Sequence, residues 1–482
     1  MRGAAGVKYR RVRRTVLASS AVLCALAGAS CTSGATSATQ APAAPEPPAC
    51  ERTLVGVAHP DDDLYFIDPA IRETVRAGCQ VTTVYLTAGD DGKKPRRAAL
   101  DHVARREAGV RAAYAVIAGV PDRWTEGTVQ AGGRGIRSLT LKASPAPVRL
   151  VFFGLHDGLP EGQGADSLLK LFAGTRRSIP FFESAETVTG EQLVSALSAL
   201  ARQEKAQRIL TLDHDNASFA FGLGGRVDHS DHGIGARYFR QAGYVVGIPV
   251  SAYLGYTMSS LGSNLPQNRV PPKEASIRRY LAHAGCRSRE CDATGRYEGP
   301  LPSDASKWVH RQYQQVHRDP RPGEILADIG RTTAYSGRDP EQCLEAVRAE
   351  AEEGAVRLNG CDGTAQQKWD IRDDGTIRSR HFHGHCLVLV KAGAGLARCS
   401  PADAEQRWVR MPWQSTTWKR TAWRVAGAKN MCLYQDDRHL PPRWDSREDR
   451  TPRLGLIRCD AQTQPGLFWN LHGTGHSAST GG

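Results

Sequence analysis

The stretch LVGVAHPDDDLYF, residues 54–66, joins a run of small and apolar residues directly to one histidine and three consecutive acids. Its first five residues have the composition of a strand that is buried on both faces, as parallel strands are in α/β proteins. Three adjacent carboxylates repel one another and need either full solvation or a cation. The stretch therefore predicts a buried strand that delivers polar side chains to the carboxyl edge of a parallel sheet, where ligands of such sheets bind.

Three further apolar runs of strand length follow this one. They are VTTVYLTA at 81–88, VRLVFFGL at 148–155 and AQRILTL at 206–212. Segments between them, such as 96–119 and 190–203, carry apolar residues at helical spacing. This alternation predicts a Rossmann-like α/β domain over residues 51–330, with a mostly parallel sheet and flanking helices. We also expect a helix over residues 303–316 within its last part.

Polar clusters follow each of these strands. GDDG (89–92), HDG (156–158) and DHDN (213–216) come after the second, third and fourth runs. Because the carboxyl ends of parallel strands meet at one edge, acids and histidines from four strands are expected on the same rim.

A metal site is the simplest explanation for this concentration of charge. GGRVDHSDHGIGARYF, residues 224–239, places His229 and His232 three apart at the start of a predicted helix, so that both point the same way. Together with His59 and Asp62, His232 would complete a three-ligand site with an open position for water, a donor set that suits Zn²⁺. Asp63 is expected to be the N-cap of the helix that follows it.

Other ligands on the same rim compete with this set. His156, His214 and Asp215 are rival candidates on the chain. An iron site formed by His59, Asp61 and His232 is a further alternative, although the expected parallel sheet argues against it.

Three motifs of this half together show a specific resemblance to one family. AHPDDD, LTAGDDG and DHSDHG, in this order and with this spacing, resemble the PIG-L or LmbE-like family of zinc-dependent de-N-acetylases over roughly residues 51–260. The resemblance implies that His59, Asp62 and His232 bind zinc, that Asp61 is the general base and that His229 faces the oxyanion. It also implies removal of acetyl groups from N-acetylglucosamine-type sugars. Asp63 stands where the family often has glutamate.

The resemblance also suggests how a sugar would be held. Asp90, Asp91 and Asp157 are candidates for binding sugar hydroxyls, and the alternative is that they are turn residues.

A non-catalytic glycan-binding protein with a relic metal site is the alternative function.

The chain after residue 330 has a different pattern, with short alternating runs and paired cysteines. CLEAV (343–347), CLVLV (386–390) and CLYQD (432–436) recur, each followed by a second cysteine and then by a tryptophan. Three units of one pattern predict a threefold all-β domain. The segments 367–369 and 406–408 are Gln-x-Trp motifs, and residues 331–475 therefore resemble a ricin B-type β-trefoil lectin. The resemblance implies the trefoil fold and carbohydrate binding, although its usual sugar-pocket residues are poorly matched, since Glu345 stands at the first position where Asp is usual.

Cysteine spacing predicts a set of disulfides. The repeats propose pairs within each unit, close spacing proposes Cys286 with Cys291, and Cys50 with Cys79 is left by elimination. The repeat pairs are Cys343 with Cys361, Cys386 with Cys399, and Cys432 with Cys459.

The first 31 residues read as an export signal, with a basic stretch followed by the apolar core VLASSAVLCALAGAS at 16–30, which is too short for a stable membrane anchor. We therefore expect a secreted or extracytoplasmic protein without a transmembrane span. VRRTVL resembles a twin-arginine signal, whereas GASC resembles a lipoprotein box that would place a lipid anchor on Cys31. Residues 32–50 are expected to be a disordered linker and 476–482 a tail.

The net charge of +13 falls to +7 without the six basic residues among the first 14. The remaining positive charge forms no dense run, so no nucleic-acid partner is expected.

Overall fold

The computed structural model of this protein describes residues 50–214, 228–285, 296–315, 320–327, 341–391, 393–414, 419–436, 453–459, 467 and 469–471. The predicted export signal and linker lie outside these ranges, except for Cys50. The predicted Cys286–Cys291 pair and the rival ligand Asp215 also lie outside them.

The amino-terminal half is built on a mixed sheet in the order β10-β9-β8-β1-β2-β5-β4-β3. Strands β9, β8, β1, β2 and β5 run parallel, and the strands at both edges pair antiparallel. The strands of this half are β1 (Thr53–Val57), β2 (Val81–Thr87), β3 (Trp124–Ala131), β4 (Arg134–Leu141), β5 (Val148–Leu155), β6 (Ile179–Pro180), β7 (Thr187–Val188), β8 (Arg208–Leu212), β9 (Val250–Tyr253) and β10 (Gln314–Gln315). The four predicted strands are confirmed and are adjacent in the centre of the sheet.

Helices cover both faces of this sheet. They are α1 (Ala70–Arg76), α2 (Arg96–Ala118), α3 (Leu168–Phe172), α4 (Gly190–Gln203), α5 (Ser230–Val246), α6 (Val270–Ala284) and α7 (Ser303–Trp308). Successive residues of β1 point to opposite faces. Val55 and Val57 therefore pack in the cluster formed with α2 and α6, and Leu54 packs in the cluster formed with α3, α4 and α5.

Local signals explain where these helices begin and end. Thr189 and Gln192 form a reciprocal capping box at the start of α4, and Gly119 ends α2 in the left-handed conformation that glycine adopts without strain. The helix expected over 303–316 is wrong beyond Trp308. Residues 314–315 instead pair with β9 as an edge strand. The backbone carbonyls of Trp308 and Arg311 accept hydrogen bonds from the Lys273 side chain.

The carboxyl-terminal half is an all-β domain of curled sheets, as expected for a β-trefoil. Its strands are β11 (Ile325–Ala327), β12 (Gln342–Ala346), β13 (Val356–Gly360), β14 (Trp369–Ile371), β15 (Ile377–Ser379), β16 (His385–Val390), β17 (Gly393–Arg398), β18 (Trp408–Gln414), β19 (Lys419–Val425), β20 (Met431–Asp436), β21 (Arg453–Arg458) and β22 (Trp469–Leu471).

The threefold repeat is visible in the core of this domain. Trp369, Trp408 and Trp469 are buried, and the indole N–H of each donates to a leucine carbonyl of its own unit at 2.8, 2.9 and 3.3 Å. Each of these leucines directly follows the first cysteine of its unit, so the recurring sequence pattern corresponds to one recurring contact.

Four predicted disulfides are confirmed. Their pairs are Cys50–Cys79, Cys343–Cys361, Cys386–Cys399 and Cys432–Cys459. Among the described residues no helix combines the length and the apolar composition needed to cross a membrane.

Candidate metal centre

The turn after β1 carries the first part of the site. The backbone N–H of His59 donates to the Asp62 carboxylate at 2.7 Å, and the N–H groups of Asp61 and Asp62 both donate to the His59 carbonyl. Asp61 has a φ of 151° in this turn. These contacts fold the acids back over the end of the strand, so that His59 and Asp62 are both buried.

Helix α5 carries the second part. His229 is its N-cap and His232 lies in its first turn, as the predicted helix start requires. His232 Nε2 lies 3.0 Å from Asp62 Oδ1, and His59 Nδ1 lies 3.3 Å from Asp62 Oδ2. The centroids of the His59 and His232 rings are 5.2 Å apart. The two distant motifs therefore meet around the Asp62 carboxylate.

Three more carboxylates surround these histidines. His232 Nδ1 lies 2.7 Å from Asp228 Oδ1, and His59 Nε2 lies 3.4 Å from oxygens of both Asp157 and Asp231. Asp157 comes from the turn after β5. Asp228 and Asp231 were not assigned a role from the sequence, although both lie within the quoted motif.

The electrostatics of the pair of histidines follow from these neighbours. Burial alone would lower the pKa of His59, but the carboxylates of Asp62 and Asp157 raise it well above its usual value. The pKa of His232 is likewise raised to about 9, against the effect of burial, by Asp62 and Asp228. A buried site with this excess of carboxylates favours a bound cation.

Buried polar atoms without hydrogen-bond partners support a metal at this place. Within the described residues these atoms include His59 Nε2, His232 Nε2, Asp228 Oδ2 and Asp231 Oδ1. Such buried atoms are costly unless a ligand satisfies them. Two sets of potential ligand atoms lie within 4.8 Å of one another among the described residues: His59, Asp62 and His232, and His59, Asp157, His229 and Asp231.

The first of these sets contains the three predicted ligands. In the second set, His229 Nδ1 accepts the backbone N–H of Asp231 at 3.1 Å, and Asp231 Oδ2 accepts that of Gly158 at 2.7 Å. Imidazole and carboxylate donors of the first set are those that Zn²⁺ takes in three-ligand sites. The predicted ligands are therefore brought together.

The Asp61 carboxylate is hydrogen-bonded by two side chains from other helices. Its Oδ1 accepts from Arg106 Nη2 at 2.5 Å and its Oδ2 accepts from the Tyr280 hydroxyl at 2.7 Å. Burial raises the pKa of the Asp61 carboxyl, while Arg106 and Tyr280 act in the opposite direction. Neither partner was found from the sequence, since an arginine in α2 and a tyrosine in α6 carry no local signal.

His229 is held in one tautomer by its helix. Because Nδ1 accepts the Asp231 N–H, the neutral ring carries its proton on Nε2, which lies 3.6 Å from Asp157 Oδ1. Burial and the positive charge of His59 lower the pKa of His229 to about 4. The ring is therefore a neutral N–H donor near pH 7.

The other candidates lie around this centre. Asp91 lines the cavity at the site and its carboxylate is 2.7 Å from Lys93 Nζ. Asp90 is buried behind the rim, where it accepts the Asp157 N–H at 2.8 Å and lies 3.5 Å from His156.

The rival ligands are not part of a metal-ligand set among the described residues. His214 is buried beside Arg240, with its Nδ1 at 3.4 Å from the guanidinium, and His156 faces Asp90. The iron alternative is not supported either, because Asp62 rather than Asp61 lies between His59 and His232.

The prediction that Asp63 caps a helix is wrong. Asp63 is the first residue of a π-helical segment, Asp63–Ile67, and its side chain makes no cap. Its Oδ2 accepts the hydroxyls of Tyr85 and Tyr114 at 2.9 and 2.8 Å in the core, and burial raises the pKa of Asp63 to about 7. The third acid of the motif thus anchors the turn to the sheet and to α2.

A cavity of about 660 Å³ opens onto this centre. Its lining includes His59, Asp61, Asp62, Asp157 and His229. Its lining also includes Tyr256 and Trp308, whose role the sequence did not indicate.

In the trefoil, the carboxylate of Glu345, at the first sugar-pocket position, is hydrogen-bonded to residues of its own repeat. Glu345 accepts hydrogen bonds from Arg357, Asn359 and Gln367 at 2.8, 2.8 and 2.9 Å. This network agrees with the poor match of that position to a lectin pocket.

Two family models match the chain. The model of GlcNAc-PI de-N-acetylases, PIG-L, matches residues 54–242, and the model of the ricin-type beta-trefoil lectin domain matches residues 331–442. The chain thus has a PIG-L domain followed by a ricin-type β-trefoil domain. This combination supports a carbohydrate deacetylase with a lectin module.

Solved structures with similarity to each half are also known. The N,N'-diacetylchitobiose deacetylase from Pyrococcus horikoshii is 12% identical, with 48% of this chain and 69% of that chain covered at a TM-score of 0.30. The A40926 pseudoaglycone deacetylase is 14% identical, with 50% and 86% covered at a TM-score of 0.28. The β-trefoil lectin of the Vibrio vulnificus hemolysin/cytolysin is 14% identical, with 31% and 93% covered at a TM-score of 0.21. No curated protein sequence matches the chain.

Proposed function

We propose that this protein is an extracytoplasmic, zinc-dependent hydrolase that removes acetyl groups from N-acetylglucosamine-type sugars or glycoconjugates. One observation carries the proposal: His59 and Asp62, which line a cavity, meet His232 from α5. Their donor atoms suit zinc. A zinc ion held there would polarise the amide carbonyl and make a water molecule nucleophilic near neutral pH.

Asp61 is the proposed general base. Its carboxylate lines the cavity and its side chain is 17% exposed, so it is accessible to a water molecule that approaches the substrate. Hydrogen bonds from Arg106 and Tyr280 hold the carboxylate in one orientation. Asp61 would take the proton of the attacking water and then pass it to the departing amine.

His229 is the proposed oxyanion donor. Its neutral Nε2–H lines the same cavity, and the helix backbone keeps the other nitrogen occupied. The donor therefore needs no protonation at neutral pH. Loss of one such donor typically costs about 3–4 kcal/mol of transition-state stabilisation.

Asp91 and Asp157 are proposed to bind sugar hydroxyls, because both line the cavity. Asp90 was assigned with them, and its contact with the Asp157 N–H supports a contribution through the position of that loop. The acetylated sugar and a glycan bound by the trefoil are the proposed partners.

We further propose the domain arrangement predicted from the sequence. An export signal (1–31) and a linker (32–50) would precede the deacetylase domain (51–330), and the trefoil (331–475) would precede a short tail. Four disulfides support an oxidising compartment. Free secretion and a lipid anchor on Cys31 remain alternatives within this proposal, and cleavage with mass analysis of the mature protein separates them.

The test combines metal analysis with acetate release from acetamido sugars. We expect about one zinc per chain, and a loss of kcat by about 10²- to 10⁴-fold in Asp61→Asn while zinc stays bound. Asp166→Asn is the matched control, since Asp166 pairs with Arg176 on the surface. Full activity of Asp61→Asn would show that the base is assigned wrongly. A wild-type protein that binds glycans but releases no acetate, with binding intact in His59→Ala, would instead support the non-catalytic alternative.

A further inference from the structure

The cavity at the metal centre is completed by residues beyond the PIG-L match. Residues 54–242 supply the histidines of the site and two aromatic rings of the cavity lining, Tyr65 and Phe66, whereas Tyr256, Ser259 and Trp308 lie beyond that match. The lining beyond the match also includes Asp304 and Lys307, which lie 3.4 Å apart.

Four aromatic side chains lie together in the lining of this cavity, and we call them the aromatic wall: Tyr65, Phe66, Tyr256 and Trp308. Trp308 stacks on Tyr256 with 5.2 Å between ring centroids and 4° between planes, and it meets both Tyr65 and Phe66 at 5.1 Å. Tyr256 in turn lies 4.8 Å from the ring of His232. The wall thus begins beside a proposed metal ligand, and Trp308 lies one ring further out.

The aromatic wall is held in place before any ligand binds. Trp308 Nε1 donates to Ser259 Oγ at 2.7 Å, which fixes the orientation of the indole. Lys273 is fully buried, and its Nζ lies within hydrogen-bond distance of the carbonyl oxygens of Tyr65, Trp308 and Arg311, at 2.7, 3.1 and 2.7 Å. A wall fixed in this way binds a ligand without paying the entropy of ordering it.

The same cavity is also lined by charged groups, among them Asp91, Arg106 and Asp157. An apolar face combined with hydrogen-bonding groups matches a pyranose ring, which has an apolar C–H face and a girdle of hydroxyls. The cavity of about 660 Å³ also lies within the range of about 300–1,000 Å³ that holds drug-sized ligands.

We propose that Trp308 forms a subsite for a second pyranose ring, so that the preferred substrate is a di- or oligosaccharide with an acetamido sugar at the metal centre. This inference rests on the proposed deacetylase function. An acetamido sugar at His59 would lie beside Tyr256, and the next ring along the glycan would then lie against Trp308.

The experiment compares kcat/KM for N-acetylglucosamine and N,N'-diacetylchitobiose. We expect the wild type to prefer the disaccharide, and Trp308→Ala to lower the ratio of the two values by about 3- to 10-fold, mainly through KM for the disaccharide. Trp308→Phe keeps an aromatic face and should keep most of the preference. Trp124→Ala is the matched control, because Trp124 is also half-buried and its N–H donates to nearby Asp122.

Two results would overturn the subsite: no preference for the disaccharide in the wild type, or an equal loss on both sugars in Trp308→Ala and Trp308→Phe. If the wild type releases acetate from neither sugar, the proposed function fails instead. The subsite is then judged by calorimetric binding of the two sugars. Tighter binding of the disaccharide that is kept in Trp308→Phe and lost in Trp308→Ala would support it, and equal binding of both sugars would refute it.

Discussion

Asp228 offers a direct test of how the proposed metal ligand His232 is held. Asp228 is buried, and its Oδ1 accepts the backbone N–H of His229 at 2.9 Å and that of Tyr256 at 3.2 Å. The same oxygen lies 2.7 Å from His232 Nδ1. The carboxylate is therefore fixed by two segments of backbone, and it fixes the His232 ring so that Nε2 faces Asp62.

The expected magnitude follows from these contacts. Loss of a carboxylate partner of a metal-binding histidine lowers metal affinity by about 10- to 100-fold, which corresponds to about 1.4–2.7 kcal/mol. Asp228→Asn keeps an oxygen at the same place but removes the charge, so we expect the lower end of this range. Asp228→Ala removes the acceptor altogether, so we expect the upper end.

The alanine variant should also be less stable. It leaves the N–H groups of His229 and Tyr256 without their acceptor, at a cost of about 1–3 kcal/mol for a buried group. The asparagine variant should lose less stability, so the two variants separate the effect on the metal from the effect on the fold.

Zinc affinity is measured by competition with a chromophoric zinc chelator. Thermal unfolding of each variant is measured separately, so that a loss of stability is distinguished from a loss of zinc affinity. Asp166→Asn is the control for a surface aspartate. Unchanged zinc affinity in both Asp228 variants would refute the reasoning, since it would mean that His232 is not a ligand or needs no partner.

Three further outcomes are expected. Gly158→Ala should destabilise the protein by about 1–3 kcal/mol in thermal unfolding, because an added Cβ would lie 2.5 Å from Asp231 Oδ1; an unchanged midpoint would contradict this. Burial lowers the pKa of Lys273 to about 7, against about 10.4 in the unfolded chain, so the unfolded state binds more protons between these values. The unfolding free energy of the wild type should therefore rise relative to Lys273→Met between about pH 7 and about pH 10, and a constant difference would argue against a neutral buried amine. Replacing both Cys386 and Cys399 by serine opens a loop with a sequence separation of 13 and should lower the unfolding free energy by about 3 kcal/mol in denaturant titrations; a loss near zero would contradict it.

Much of the site was predictable because the relevant signals are local. A buried strand ends in a turn of polar residues, and a helix start brings residues i and i+3 to one side. His59, Asp62 and His232 follow from these two rules and from the preference of a cation for such donors. The three tryptophans of the trefoil were likewise visible, because a repeat in sequence implies a repeat in structure.

The wrong predictions concern polar groups that hydrogen-bond to residues distant in sequence instead of to their own helix. Asp63 was expected to cap a helix, but the hydroxyls of Tyr85 and Tyr114 bind its carboxylate instead. A helix was expected over 303–316, but it ends at Trp308, and the carbonyls of Trp308 and Arg311 are bound by Lys273. Local propensity does not contain these competing contacts.

The sequence by itself determined the four central strands of the first sheet, the threefold repeat and the residue types at the candidate metal centre, because periodicity and spacing along the chain encode them. Only the tertiary structure decided the partners of Asp61, the tautomer of His229 and the aromatic wall, in which Tyr256 and Trp308 lie beyond the PIG-L match. Arg106 and Tyr280 lie 45 and 219 residues from Asp61 along the chain. Contacts over such distances depend on how the helices pack, and that packing is set by the whole core at once.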